Sequence, residues 1–159
     1  MAETSIRTYF AAPLFNQQER LWNRRFSEVL REVMPELDIT LPQDFRVNNR
    51  YNDPEHYGDI FRLCVENMRN ARLVVAILDG ADADSGVAFE CGVAYSLGKP
   101  VIGVRTDYRE GAERGVNIML ANGCTHIVRE FAFLENPRQL AEHVARRIRK
   151  ILEETPETR

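Results

Sequence analysis

A short apolar run, Leu73 to Leu78 (LVVAIL), passes at once into a loop holding Asp79, Asp82 and Asp84. Ser85-Gly86 then opens a helix of small residues. The run is β-branched and brief, so it predicts a buried central strand. Strand, acidic loop, glycine and helix in that order constrain the fold to the α/β class. In an open α/β sheet, ligands bind outside the carboxyl ends of the strands, where this loop must lie.

The rest of the chain repeats the alternation. Ser5–Ala12 predicts a first strand, Pro13–Asn16 a turn, and Gln17–Met34 a helix with Leu21, Trp22, Phe26, Val29, Leu30 and Val33 at helical spacing. Asp38–Leu41 reads as a short strand. A polar loop from Pro42 to Glu55 follows, long enough to be a binding-loop candidate. Tyr57–Asn70 and Gly86–Leu97 read as helices, Val101–Val104 and Thr125–Val128 as strands, and Thr106–Gly115 as a charged, glycine-containing loop. Asn136-Pro137 predicts an N-cap and first helical residue for a last helix bearing Leu140, Val144, Ile148, Ile151 and Leu152. The tail, TPETR, is expected to fray. Strands alternating with helices imply a parallel sheet covered on both faces. The expectation is a single flavodoxin-like (Rossmann-like) domain over residues 1–159, with a five-stranded sheet.

Composition narrows the function. A net charge of −3 argues against a nucleic-acid binder. No apolar run reaches the length of a membrane span, and the first residues, MAETSIRTYF, show no signal-peptide core. Cys64, Cys91 and Cys124 are odd in number and form no C-x-x-C pair, which suggests reduced thiols in a cytoplasmic protein.

Several residues are placed for chemistry. Glu90 lies four residues after Gly86 and shares its helix face. A helix N-terminus favours an anion, so the expectation is an ionised Glu90, able to act as a nucleophile. On pattern alone it is equally an exposed glutamate early in a helix. Asp84 is either a plain N-cap or a second acid in the same cleft, and two neighbouring carboxylates push their pKa values apart. Tyr9, near the end of the first strand, is either a core aromatic or the holder of a carboxylate. The acidic loop fails the calcium-loop pattern, and magnesium held by these acids is a weaker alternative. It contains neither G-x-x-x-x-G-K nor G-x-G-x-x-G, and Ser85 lacks the G-x-S-x-G setting of a serine nucleophile. His56, His126 and His143 read as surface or loop residues, and Arg146, Arg147, Arg149 and Lys150 as the solvated face of the last helix.

The segments YFAAPLFN (9–16), DSGVAFECGVAYSLGKPV (84–101) and NIML (117–120) together resemble the nucleoside 2-deoxyribosyltransferase family. The resemblance implies a flavodoxin-like fold and homo-oligomers, dimers or multiples of dimers, with shared active sites. It implies Glu90 as nucleophile, Asp84 as the sugar-binding and proton-handling acid, and Tyr9 as the residue that holds the nucleophile. It also implies that Asn117 reaches a neighbouring subunit's sugar 5′-hydroxyl, that Gly86 lies at the substrate, and that Gln43 or Asp44 contacts the base. The chain departs from the family where some members carry a further active-site aspartate: Cys64 stands there. Arg72 stands where many members have an acid, and where some members use a C-terminal carboxylate from the partner chain, this polar tail ends in Arg159 with no aromatic.

The residues suit the implied chemistry. A carboxylate attacks the anomeric carbon as the base leaves, and a second base then releases the sugar with retention. Nucleosides and free nucleobases would be the partners, with no nucleic acid, membrane, metal or organic cofactor required. If water replaces the second base, the same scaffold is a nucleoside or nucleoside 5′-monophosphate N-glycoside hydrolase. Relatives that cut nucleoside 5′-monophosphates typically have serine, arginine and glycine near the first loop, so by that resemblance the loop PLFNQQER, and Asn117 in place of a small hydroxyl residue, favour a 5′-hydroxyl. A non-catalytic nucleotide-sensing or receiver-like module leaves Glu90 without a role and lacks a suitably placed lysine after the fourth strand.

Overall fold

A computed structural model describes residues 5–45, 54–131 and 136–155. Its strands are β1 (Ile6–Ala11), β2 (Leu37–Thr40), β3 (Leu73–Ile77), β4 (Val101–Arg105) and β5 (His126–Arg129). Its α-helices are α1 (Gln17–Val33), α2 (Tyr57–Asn70), α3 (Ser85–Ser96), α4 (Ile118–Gly123) and α5 (Arg138–Glu154). The strands form one parallel sheet in the order β2-β1-β3-β4-β5. This is the flavodoxin-like order.

The strands alternate between two cores. Phe10, Val75, Ile77, Ile102, Val104 and Val128 face α1 and α5, among Phe26, Leu30, Leu140, Val144 and Ile148. Tyr9, Ala11, Val74, Ala76 and Leu78 face the opposite layer, with Met68 of α2, Val87, Cys91 and Ala94 of α3, and Leu120 of α4. Both faces of β3 are thus buried, which explains its unbroken apolar sequence. On β4, Gly103 keeps the second face thin: a Cβ there would come within 2.6 Å of the Leu78 side chain.

Most expected boundaries hold within a residue or two. Helix α1 starts where Asn16 and Glu19 form a reciprocal cap: Asn16 Oδ1 accepts from the Glu19 N–H at 3.0 Å, and Glu19 Oε2 accepts from the Asn16 N–H at 3.2 Å. Three expectations change. Asn117 heads the short helix α4, in a stretch to which the sequence assigned no element. Helix α5 begins at Arg138 with Pro137 at its N-cap; Asn136 still accepts a bond from the Arg138 N–H at 3.0 Å. Strand β4 runs one residue further, to Arg105. Of the loop expected over Pro42–Glu55, residues 46–53 lie outside the described residues, as do 156–159 of the expected frayed tail. No helix among the described residues is long and apolar enough to cross a membrane.

Candidate active site

From β1 the chain passes to β2 at one edge, while β3 leads to β4 on the other side, so the direction of winding reverses between β1 and β3. The crevice at the carboxyl ends of those two strands is where such sheets take ligands. Two loops are fastened together beside it. Asp79, just past β3, accepts from the Thr106 N–H at 2.6 Å, the Thr106 hydroxyl at 2.5 Å and the Asp107 N–H at 2.9 Å. Arg105 is buried, 1% exposed, and its guanidinium donates to the carbonyls of Leu78 (2.6 Å), Gly80 (3.0 Å) and Arg109 (3.0 Å). Gly80 takes a φ of +115°, and a Cβ there would meet the Asp82 carbonyl at 2.8 Å. That backbone turn needs glycine. Asp79 therefore ties loops together, a role that its place among the loop acids did not reveal.

Beyond the fastened loop, Asp84 caps α3: its Oδ1 accepts from the Val87 N–H at 3.0 Å. Gly86 sits against the same oxygen, which a Cβ would approach to 3.0 Å. One turn on, Glu90 meets Tyr9. The Tyr9 hydroxyl donates to Glu90 Oε1 at 2.5 Å, joining β1 to α3 across the crevice. Tyr9 is fully buried, and its phenol is pushed far above its usual range, first by burial and then by the Glu90 charge, so it stays a neutral donor. Tyr9 is thus both a core aromatic and the holder of the carboxylate.

The helix N-terminus does not hold the Glu90 carboxylate in its ordinary range. Burial pushes its pKa up to about 7; the Tyr9 hydrogen bond opposes this, and the Asp84 charge adds to it. The physical reason is position. Glu90 lies in the second turn of α3, and the helix-terminal field fades within the first.

Cys64, on α2, packs against the core that holds Tyr9, and burial pushes its thiol up. The sequence marked this position only through the family comparison.

The remaining candidates lie apart from the Tyr9–Glu90 pair. Asn117 caps α4, accepting from the Met119 N–H at 2.9 Å. It lines a groove of about 740 Å³ between α3 and α4, with Asp82, Ala88, Tyr95 and Met119; Glu90 is not among the lining residues. Gln43 stands in the turn after β2. Its amide oxygen accepts from Asn23 Nδ2 at 3.2 Å, and its nitrogen donates to the Arg20 carbonyl at 3.1 Å. Asp44 pairs with Arg24 through both carboxylate oxygens, one bond being 2.8 Å long. The buried Asn23, which anchors Gln43, is a residue that sequence reasoning passed over. Among the described residues, no three His, Cys, Asp or Glu side chains are grouped to hold a metal ion.

A family model described as nucleoside 2-deoxyribosyltransferase matches residues 8–137, most of the chain. No curated protein matches the sequence. Among solved structures, a conserved protein from Enterococcus faecalis V583 is similar at 29% identity and a TM-score of 0.71, over 90% of this chain and 99% of that one. A 2-deoxyribosyltransferase from Bacillus psychrosaccharolyticus shares 23% identity at a TM-score of 0.65, over 77% and 85% of the two chains. A CMP N-glycosidase from Clostridium botulinum shares 15% identity at a TM-score of 0.54, over 87% and 98%. At these last two identities the likeness is one of fold.

Proposed function

Because the chain belongs to the nucleoside 2-deoxyribosyltransferase family, we propose that it moves a 2-deoxyribosyl group from one nucleobase to another by double displacement on Glu90. The observation that carries this proposal is the Tyr9–Glu90 hydrogen bond in the crevice between β1 and β3. It aims one carboxylate oxygen and leaves the other for an anomeric carbon. Attack by that oxygen forms a C1–O bond as the C1–N bond breaks, and the electron pair leaves with the base. The result is a glycosyl ester of Glu90 with inverted configuration. A second base attacks C1 from the opposite side, restores the original configuration and frees the carboxylate.

The raised pKa of Glu90 also gives the proton a place. The Asp84 charge is one of its causes, so the two carboxyls influence each other. Asp84, at the head of the same helix, is assigned the handling of the departing base's proton.

The test is an incubation of deoxyadenosine or deoxyinosine with and without a second free base, with the products separated by chromatography. A new deoxynucleoside is expected. Free base and deoxyribose alone, formed at a rate indifferent to the added acceptor, would replace the transferase with a hydrolase.

Asn117 faces the α3–α4 groove of its own chain. This suits a role in completing a neighbouring subunit's site at the sugar 5′-hydroxyl. The active species is then a dimer or a multiple of dimers with closed symmetry. Light scattering at assay concentration checks this, and a fully active monomer would contradict it.

A further inference from the structure

We propose that the outer face of α3 is the surface on which a second copy of this chain docks, about a two-fold axis at Gly92. The inference deepens the dimer reading above and rests on it. It begins with the composition of the helix. Residues 85–96 carry one charged side chain, Glu90, and that one turns inward to the Tyr9 hydroxyl. The exposed positions are Ser85, Gly86, Phe89, Gly92, Tyr95 and Ser96, none of them charged. A helix at the surface ordinarily turns a charged face to water, and one without such a face is covered by something. The other helical layer shows the ordinary case: on α1 and α5, Leu21 alone of the large apolar side chains is exposed.

The uncharged surface continues to both sides of α3. Phe89 meets Phe61 of α2 with ring centroids 6.0 Å apart. Gly92 and Tyr95 line the groove shared with Ile118 and Met119 of α4, a helix without a charged residue. Phe61, Phe89, Tyr95, Ile118 and Met119 are each more than half exposed, and together they leave about 600 Å² of apolar surface in water. That is the upper end for a protein that stays alone. A dimer of standard size buries about 800 Å² per partner, so this patch supplies most of what one needs. The ion pair Asp59–Arg62, beside Phe61 on α2, supplies a polar rim.

The occupant is a second copy because the patch holds both halves of a fit. A two-fold interface uses one surface twice, so that surface must carry both projections and the hollow that receives them. Met119, 79% exposed, and Tyr95, 67% exposed, project beside the α3–α4 groove. Neither α3 nor α4 carries a lysine or arginine to hold a nucleic acid or an anionic membrane. Gly92 marks the axis. It is exposed, and nothing lies within 4 Å of the place its Cβ would occupy, so the protomer alone has no use for glycine there. Glycine instead lets two copies of α3 approach closely. Phe89 and Tyr95 stand equally far to either side of it along the chain. The axis therefore sets Phe89 of one protomer against the partner's Tyr95, and the reverse, as aromatic contacts flanking the crossing. Asn117 lines the same groove and is carried to the partner's side.

Sedimentation of the natural chain, Gly92→Glu and Gly92→Cys at one protein concentration tests the interface. A side chain at position 92 has room in the protomer, so circular dichroism of both variants should match the natural chain. Gly92→Glu puts two like charges on the axis and should lower the assembled mass by half or more. Gly92→Cys meets its own copy there and should give a disulfide-linked dimer on mild oxidation. The natural chain, with Cys64, Cys91 and Cys124 alone, should stay unlinked under the same treatment. If Gly92→Glu keeps the natural mass, or Gly92→Cys stays unlinked, another face makes the dimer; the inference fails and the dimer reading stands. A natural chain that sediments as a monomer overturns both. Base exchange is scored separately, so its absence would sink the transferase while mass and cross-linking still judge this face.

Discussion

Glu90→Gln should lower both base exchange and nucleoside hydrolysis by several powers of ten while leaving the fold intact, and firmer above neutral pH. The amide keeps the size of the carboxylate and can still accept from the Tyr9 hydroxyl. It cannot form the glycosyl ester, so the loss falls on kcat and kcat/KM together. Stability moves the other way. Folding raises the Glu90 pKa from 4.5 to about 7. Between those values the folded chain holds more protons at this site than the unfolded chain, so its contribution to stability falls as pH rises through that window. Above it, the ionised carboxylate costs the fold about 3 kcal/mol. Glutamine removes that cost, so thermal unfolding at pH 8 should come at a higher temperature than in the natural chain, and near pH 4 the two should converge. Trapping with a 2-fluoro-2-deoxy nucleoside, followed by peptide mass spectrometry, should place the label on Glu90. Label on Asp84 or Asp79, or substantial turnover by Glu90→Gln, would refute the assignment.

That pattern of lost rate and gained stability is what an active site built on an unfavourable burial should give. Glu90 sits on a helix whose neighbours Val87, Cys91 and Ala94 are buried. The sheet pays for its burial with the Tyr9 bond and not with a cation. No salt bridge to Glu90 occurs among the described residues, and a fixed positive charge would hold the carboxylate's electrons back from the anomeric carbon.

The fold was legible because each element carries its own pattern. Leu73–Leu78 is apolar on both faces, α1 and α5 show one apolar stripe each, and the alternation of strand and helix leaves few topologies. The shared helix face of Gly86 and Glu90, and Asp84 as the cap before them, were legible for a similar reason, since all three lie on one short segment. What the sequence hid depends on contacts between distant segments. Tyr9 and Glu90 are 81 residues apart in the chain, and pattern alone left Tyr9 equally a core residue. The burial that raises the Glu90 pKa is a property of packing, while helix position is local, so only the second could be read from the sequence. Helix α4 is too short, at six residues, for periodicity to reveal.

Arg105 is the clearest case of a hidden contact, and it carries the largest stability effect expected outside the catalytic residues. Arg105→Met should destabilise the protein by roughly 3 kcal/mol or more. The guanidinium is buried and spends its donors on three backbone carbonyls, those of Leu78, Gly80 and Arg109. Two opposing effects accompany its loss. Methionine relieves the desolvation of a buried charge, which favours the variant. It also leaves three acceptors without their donor, each costing about 1–3 kcal/mol where water cannot enter. The second effect wins, because the carbonyls belong to turns whose backbone is already committed. Gly80 holds a positive φ, and Asp79 is fixed to Thr106 and Asp107. The natural charge is moreover not isolated: Asp107 lies near enough for Arg105 to help hold its carboxyl below the usual range, after the larger influence of Arg109. For a chain of this size, a loss of that order lowers the melting temperature by about 6–12 °C. Arg105→Lys should recover only a small part of it, since a compact ammonium cannot reach three carbonyls at fixed angles. The same loops carry Asp84 toward α3, so Arg105→Met should also reduce kcat at temperatures where the fold persists, whereas Glu90→Gln abolishes activity in a fold that stands. Circular dichroism melts of the two arginine variants decide the matter. A melting temperature for Arg105→Met within about 2 °C of the natural chain would show that the three carbonyls find other donors, and that the guanidinium does not fasten this edge of the sheet.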